Sequence, residues 1–315
     1  MSNNIFCIGE ALIDMMCIDN KGLKNGRMFE KKAGGAPANV AVCISKLEGN
    51  AYFLGQVGKD CFGDYLIELF NYLGINTEMA VQEGKTTLSL VGIDEQGERS
   101  FEFLRGSDKD YSFSNIDVFK INPYDIIHFG SATGLIDGDL KDTYFKLLDY
   151  ADRNNIFVSF DPNYRDNLIT DDKLDAFVDD CKKFISKSTF VKLSDEELFL
   201  ITKEKELGKA VDIIHSIGAQ VVAVTLGSDG TYISINGEHC IIPSIKIKQV
   251  DSTGAGDAFV GAVLMQLSCI NNKKGLDVKQ WKSIISYANK VGALTCTNYG
   301  AISSMPSKSD IENLE

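Results

Sequence analysis

"DIIHFGSATGLIDGDLKDTYFKLLDYADRNNIFVSFDPN", residues 125–163, carries the pattern on which the whole chain is built. Its outer runs, DIIHFGS and IFVSFDPN, are apolar almost without interruption, as strands are when both faces of their sheet are covered. The stretch between them, GDLKDTYFKLLDYADRNN, brings Leu140, Tyr144, Leu147 and Leu148 back at helical spacing. The same alternation extends in both directions. NIFCIG, AYFLGQVG, STFVKLS and VVAVTLG are further strand-length runs, and DDKLDAFVDDCKKFISKS is a further amphipathic stretch. Strand and helix in alternation predict an α/β fold, a doubly wound and mainly parallel sheet with helices on both faces.

Two regions break the rhythm. TTLSLVGIDEQGERSFEFLR holds two alternating runs around the turn-rich DEQGE, which reads as a hairpin with one wetted face, and residues 12–32 are similar. Neither region has a crossover helix. A small antiparallel β lid, inserted at about 12–32 and 86–106 into one domain spanning 1–315, is therefore expected. No repeat, low-complexity tract or linker divides the chain.

Bulk properties narrow the function. A chain of 315 residues, 44% of them hydrophobic, can bury a sizeable core. A formal net charge of −12 repels phosphate backbones, which argues against nucleic acid but leaves room for a local anion site. The eight cysteines form no C-x-x-C and read as reduced core thiols. The N-terminus has no leader pattern, and no run approaches the roughly 18–20 apolar residues of a membrane span. A cytoplasmic protein without membrane contact is expected. His128, His215 and His239 are widely spaced with no H-E-x-x-H, so no imidazole metal site is expected.

The chemistry concentrates in VDSTGAGDAF, residues 250–259, between the strand-like IKIKQV and the helix-like AFVGAVLMQL. The glycines fall at a loop-to-helix junction with Asp257 in the first helical turn. Free N–H groups and the positive end of the helix dipole converge there on any anion, and Gly254 and Gly256 keep Cβ atoms out of its way. Asp257 is placed to take a proton from a hydroxyl beside the stabilised phosphoryl oxygens. The competing reading is that Asp251 or Ser252 caps the helix and Asp257 favours its dipole. Neither a P-loop nor G-x-G-x-x-G is present. A second glycine-rich helix start, AGGAPANVAVCISKL, places Gly34 and Gly35 before a helix that carries Asn39.

GEALIDM, GGAPANVA, GQVGKDCFGDYL, SFEFLR, DPNYR, KLSDEE, VTLGSDG, DSTGAGDAFVGA and ANKVGALTCTNYGAISSMP follow one another along nearly the whole chain. In this order they resemble the ribokinase-type (PfkB) carbohydrate kinases, and within that family most of all the fructokinases. The resemblance implies a ribokinase-like fold and ATP-dependent phosphorylation of a sugar's primary hydroxyl. Asp257 would be the base, and the N–H groups of Gly254, Ala255 and Gly256 the anion hole. That assignment suits phosphoryl transfer, which needs mainly positioning and charge stabilisation.

On the sugar side the resemblance implies Asp14, Gly34, Gly35 and Asn39, with Arg105 and Arg165. Strand period puts Phe101, Phe103 and Arg105 on one face, so Arg105 is expected to reach the cleft over two aromatic supports. Arg165 lies beyond the carboxyl end of a buried strand, with Asp161 and Asn163 as partners or as loop caps. On the nucleotide side stand Lys192, Thr225, Gly227, Ser228, Gly230, Asn289 and Gly292. Gly292 inside a helix implies a close approach, by ligand or by another helix.

Magnesium is implied by the chemistry. Glu197 matches the glutamate of the family's N-x-x-E motif, while Ser194 replaces its asparagine. Asp251 and Thr253 match positions associated with a monovalent cation such as potassium. A lid that closes over the sugar excludes water, and its outer face could pair two subunits, as in several relatives. The leading reading is phosphorylation of fructose to fructose 6-phosphate. Its rivals are a kinase for 2-keto-3-deoxygluconate, ribose or a nucleoside, and a non-catalytic sugar-binding member. A dinucleotide dehydrogenase lacks its fingerprint.

Overall fold

A computed structural model describes residues 2–95, 97–235 and 237–314. Its strands are β1 (Asn4–Ile8), β2 (Leu12–Cys17), β3 (Phe29–Gly34), β4 (Asn50–Leu54), β5 (Gln56–Val57), β6 (Val81–Gln82), β7 (Leu88–Ile93), β8 (Arg99–Leu104), β9 (Ile126–Phe129), β10 (Phe157–Phe160), β11 (Phe190–Ser194), β12 (Val221–Thr225), β13 (Thr231–Ile235) and β14 (Glu238–Ile242). Its α-helices are α1 (Gly22–Asn25), α2 (Ala36–Lys46), α3 (Cys61–Tyr72), α4 (Gly138–Arg153), α5 (Asp171–Lys187), α6 (Asp195–Thr202), α7 (Leu207–Ile217), α8 (Ala255–Ser268), α9 (Val278–Thr295) and α10 (Lys308–Glu312).

Eight strands form one sheet in the order β14-β13-β12-β11-β10-β9-β1-β4. The six from β4 to β12 run parallel, and β13 and β14 continue antiparallel at one edge. The apolar runs divide by alternate residues between two cores. Ile5 and Cys7 of β1 and Val221 and Ala223 of β12 join the α2, α8 and α9 side. Phe6, Ile8, Val222 and Val224 join the side covered by α4, α5, α6 and α7. On that second side Phe184 lies within ring-packing distance of Phe129, Tyr144, Phe145 and Phe160. Truncating it to alanine removes a hub worth about 3–5 kcal/mol.

The ribokinase-like arrangement is thus present, with the expected small sheet beside it in the order β3-β2-β7-β8. Its two hairpins, β2–β3 and β7–β8, are antiparallel, while the strands that join them, β2 and β7, pair in parallel. The β7–β8 turn includes Gln96, which lies outside the described residues. The first hairpin leaves the carboxyl end of β1 and returns into α2, so the lid is rooted at the sheet's carboxyl edge.

IKIKQV forms no strand. Residues 243–250 continue beyond β14 outside any strand, and Val250 N donates to Cys296 O at 2.8 Å. Their start is tied to α9 instead, because Asn289 Nδ2 donates to Ile242 O (2.9 Å) and Pro243 O (3.3 Å). Among the described residues no helix is long and apolar enough to cross a membrane. All eight cysteines are free thiols, four of them buried.

Candidate active site

Three cavities open along the carboxyl edge of the sheet and meet at the start of α8. One of about 240 Å³ lies under the lid, walled by Glu10, Asp14, Asn39, Ser89, Phe101, Phe103 and Thr133. One of about 530 Å³ lies between the turn after β12, the segment Ser244–Gln249 and helices α8 and α9. The third, about 460 Å³, holds Lys192, Ser194 and Glu197. Arg165, Thr253, Gly254 and Asp257 line both the first and the third. Ser252 and Gly256 line both the second and the third.

The helix start is built to stay open. Gly254 precedes α8 at φ +78°, and no side chain caps the helix. A Cβ on Gly254 would fall 2.6 Å from that of Ala301. Asp251 does not cap α8. Its carboxylate accepts from Thr253 N (3.0 Å), Thr253 Oγ1 (2.7 Å) and Gly300 N (2.9 Å), which pins the loop to the chain after α9. Ala255 N–H donates to Ser252 O at 3.2 Å, so it is not free as the resemblance implies. Among the described residues the N–H groups of Gly254, Gly256 and Asp257 have no acceptor, and these are the donors left for an anion.

Asp257 is buried in the first turn, where its Oδ2 accepts from Asn39 Nδ2 at 2.8 Å. Burial pushes its carboxyl up, and the Asn39 hydrogen bond, Arg165 and Lys192 only partly pull it back. A carboxylate held above its ordinary range is a better base toward neutral pH.

Under the lid, Asp14 faces the cavity from β2. Its carboxyl is likewise raised by burial, against the lowering influence of the Ser89 hydroxyl and Lys32. Gly35 lines the cavity, whereas Gly34 stands behind Asp14, where a Cβ would fall 2.4 Å from Oδ2. Phe101 and Phe103 face the cavity, with ring centroids 6.3 Å apart.

Arg105 does not face the cavity, contrary to the strand-period expectation. Strand β8 ends at Leu104, and the guanidinium turns to the lid's base. There Nε donates to Asp108 Oδ2 at 3.2 Å, Nη1 pairs with Asp137 and Nη2 donates to Thr133 O at 3.2 Å. The physical reason is Asp108, a buried carboxylate that needs a cation.

Thr225, Gly227, Ser228 and Gly230 line the large cavity, with Ala255, Asn289 and Gly292 opposite. The Asn289 amide is not free for a ligand, however. Its Oδ1 accepts from Thr231 Oγ1 at 2.7 Å while Nδ2 holds the carbonyls of Ile242 and Pro243 where β14 ends, so this residue shapes the wall. Gly292 answers both readings: it lines the cavity, and a Cβ there would meet Ala255 O of the neighbouring helix at 3.2 Å.

In the middle cavity Lys192 Nζ pairs with Asp161 Oδ2 at 3.0 Å. Ser194 and Glu197 form a capping box on α6, with Ser194 Oγ accepting from Glu197 N and Glu197 Oε2 accepting from Ser194 N. Glu197 Oε1 accepts from Tyr164 N at 2.9 Å. The serine at the family's asparagine position therefore keeps the glutamate in place by local capping. Asp161 and Asn163 act as loop caps. Asn163, at φ +46°, donates its N–H to Asp161 Oδ1 and its Nδ2 to Gly130 O, which turns Arg165 toward the cavities.

No cluster of three or more His, Cys, Asp or Glu side chains is placed to hold a metal among the described residues. Both Glu197 oxygens keep a lone pair, so the residue fits an ion held through water.

Several cavity residues escaped the sequence reading. Glu10 and Thr133 stand in the loops that follow β1 and β9, and the Ser244–Gln249 wall looked like a strand. The location of Glu10 directly after a predicted strand was the signal available for it.

The pfkB family carbohydrate kinase model matches residues 2–308. The chain is 32% identical over 312 residues to the fructokinase of Vibrio alginolyticus, covering 98% of each chain. Among solved structures it is similar to the fructokinase of Xylella fastidiosa with bound ATP, at TM-score 0.88 and 30% identity over 100% of this chain and 98% of that one. It is similar also to the fructokinase of Vibrio cholerae O395 in its fructose, ADP and calcium ion bound form, at TM-score 0.88 and 25% identity over 99% and 98%. With a family match across almost its full length and the fold to go with it, the chain belongs to the pfkB family of carbohydrate kinases and is an ATP-dependent sugar kinase.

Proposed function

We propose that the chain acts as a single fructokinase unit that transfers the γ-phosphoryl group of ATP to the C6 hydroxyl of fructose, giving fructose 6-phosphate and ADP. One observation carries the reading. Asp257 lines both the cavity under the lid and the cavity holding the unpaired N–H groups. The hydroxyl oxygen bonds to the γ-phosphorus as the bond to ADP breaks, and the hydroxyl proton passes to Asp257. The N–H groups of Gly254, Gly256 and Asp257, with Arg165 and Lys192 beside them, hold the charge on the transferring oxygens.

The lining under the lid supports a neutral polyol. Glu10, Asp14, Asn39, Ser89 and Thr133 offer acceptors and donors, and among the described residues Arg165 is the one arginine on that wall. With Arg105 turned away, a sugar acid would meet the three carboxylates of Glu10, Asp14 and Asp257 against the Arg165 guanidinium. The large cavity would hold ATP. Magnesium would sit on the nucleotide oxygens and water, faced by Glu197, and would neutralise the β and γ oxygens. The Asp251–Thr253 turn is the place for a potassium ion. Ile93 and Leu104, exposed on the lid strands, support pairing with a second copy through the lid.

The test is ADP release with Mg-ATP against fructose, mannose, glucose, ribose, 2-keto-3-deoxygluconate and adenosine, with Asp257→Asn in parallel. Preference for fructose and a loss of about 10²- to 10⁴-fold in the variant are expected. Activity on the sugar acid alone would reassign the substrate, and silence on all six would favour a non-catalytic member.

A further inference from the structure

The two helices that enter the site are locked at a single crossing. A Cβ on Gly261 of α8 would fall 2.6 Å from that of Cys43 on α2, so glycine is what lets the helices approach this closely. Cys43 Sγ then donates to Ala258 O at 3.2 Å. Asn39 precedes Cys43 by four residues and Asp257 precedes Gly261 by four, about one turn in each helix. The crossing that seats Cys43 on Gly261 therefore also brings Asn39 Nδ2 to 2.8 Å from Asp257 Oδ2.

That contact has a cost elsewhere. An ionised carboxylate only accepts, so the amide must turn its nitrogen toward it. Asn39 Oδ1 is left buried with no partner, one of three such side-chain atoms among the described residues. Buried polar groups are normally satisfied, so an open one calls for a reason, and the bond kept at its expense is the one to Asp257.

From this geometry we propose that Asn39 is a positioning residue that selects which oxygen of Asp257 is the base. Its Nδ2 occupies Oδ2 and fixes the plane of the carboxylate, so Oδ1 takes the hydroxyl proton as the new oxygen–phosphorus bond forms. The inference rests on Asp257 being the base, as proposed above. The other charged or titratable groups facing Asp257 are Arg165, Lys192 and Glu197, with Asp161 nearby and Cys43 on α2. None of these makes a hydrogen bond to it.

The measurement is the pH profile of kcat/KM for the sugar in Asn39→Leu and Asn39→Asp. A donor to the charged form holds a carboxyl down, so its loss moves the acid limb to higher pH, by about one unit in N39L. In N39D a second carboxylate stands beside the first and the limb moves further. Turnover falls about ten- to a hundredfold in both variants while KM for ATP is unchanged. Limbs that coincide with the wild type in both variants overturn the proposal, however far the rates fall. N39D is nearly isosteric and preserves the helix crossing. If its turnover is too slow to profile, 13C NMR of the Asp257 carboxyl carbon must show the same upward shift in the unliganded protein, and its absence counts against the proposal. Asp257→Asn separates the two levels. An active D257N removes the base itself, whereas an inactive D257N with unmoved limbs removes only the role of Asn39.

Discussion

Lys192 Nζ lies 3.0 Å from Asp161 Oδ2, both side chains almost closed to solvent, and the same ammonium is 3.4 Å from where a Cβ on Gly256 would be. The ion pair thus holds a cation beside the unpaired Gly256 N–H. Burial pushes the Asp161 carboxyl up to about 6, with Lys192 holding it below what burial alone would set. A carboxyl raised on folding contributes stability at low pH that fades as pH climbs to its folded value. In Lys192→Met the folded value moves higher still and the loss continues beyond pH 6. Urea midpoints should show the deficit of K192M growing from pH 6 to pH 8, and kcat should fall by about 10²- to 10³-fold. Equal deficits at both pH values would detach Asp161 from Lys192.

Arg105 was expected at the sugar and is found at the lid's base, where it reaches Asp108, Asp137 and the Thr133 carbonyl. Thr133 Oγ1 also donates to Asp108 Oδ2 at 2.9 Å and lines the cavity under the lid. Arg105→Ala should leave a buried carboxylate without its cation, a loss of about 3 kcal/mol, felt first in the lid. Hydrogen exchange over residues 86–106 should speed up, and KM for the sugar should rise while KM for ATP holds. Unchanged exchange with a raised sugar KM would instead return Arg105 to direct substrate contact.

The misplacement of Arg105 shows where sequence reading stops. Alternation correctly put Phe101 and Phe103 on the cavity face, because period 2 is a property of the strand itself. Arg105 lies one residue past the strand's end, where its direction is set by Asp108 and Asp137, the latter 32 residues away, and no local period reports that. IKIKQV failed for the complementary reason. It alternates like a strand, but β14 is the last strand of the sheet, and the chain leading into it is held at Ile242 and Pro243 by the Asn289 amide. The helix starts at Gly35 and Gly254 were legible because each depends on residues adjacent in the chain. The Asn39–Asp257 contact spans 218 residues and depends on a helix crossing.

Asn289 offers a test of wall against ligand contact. Asn289→Ala would strand the Thr231 hydroxyl and take a donor from the Ile242 carbonyl, at a cost of roughly 2 kcal/mol. It should also loosen the Ser244–Gln249 wall. The melting temperature should drop and KM for ATP rise about tenfold with the sugar KM unchanged. A raised ATP KM at wild-type stability would mean that the amide touches the nucleotide after all.

Gly254 and Gly256 stand two residues apart and should respond to alanine in opposite ways. Gly254 has φ +78°, and its Cβ would collide with Ala301, so Gly254→Ala combines backbone strain with a clash against an inflexible neighbour. A loss of about 2–4 kcal/mol is expected, enough to lower the melting temperature by several degrees. Gly256 is in ordinary helical backbone, and what lies near its missing Cβ is the end of the Lys192 side chain, Nζ at 3.4 Å and Cε at 3.8 Å, which can yield. Gly256→Ala should therefore melt at or slightly above the wild type, since alanine favours a helix. Its methyl, however, would fill the gap between the Gly256 N–H and the Lys192 ammonium, where the proposed reaction passes the phosphoryl group. A kcat reduced by about 10²-fold or more in a fully stable G256A would separate the two glycines into one that makes the turn and one that makes room for the phosphate. Full activity in G256A would move the transferring group off this helix start, and with it the assignment of Asp257.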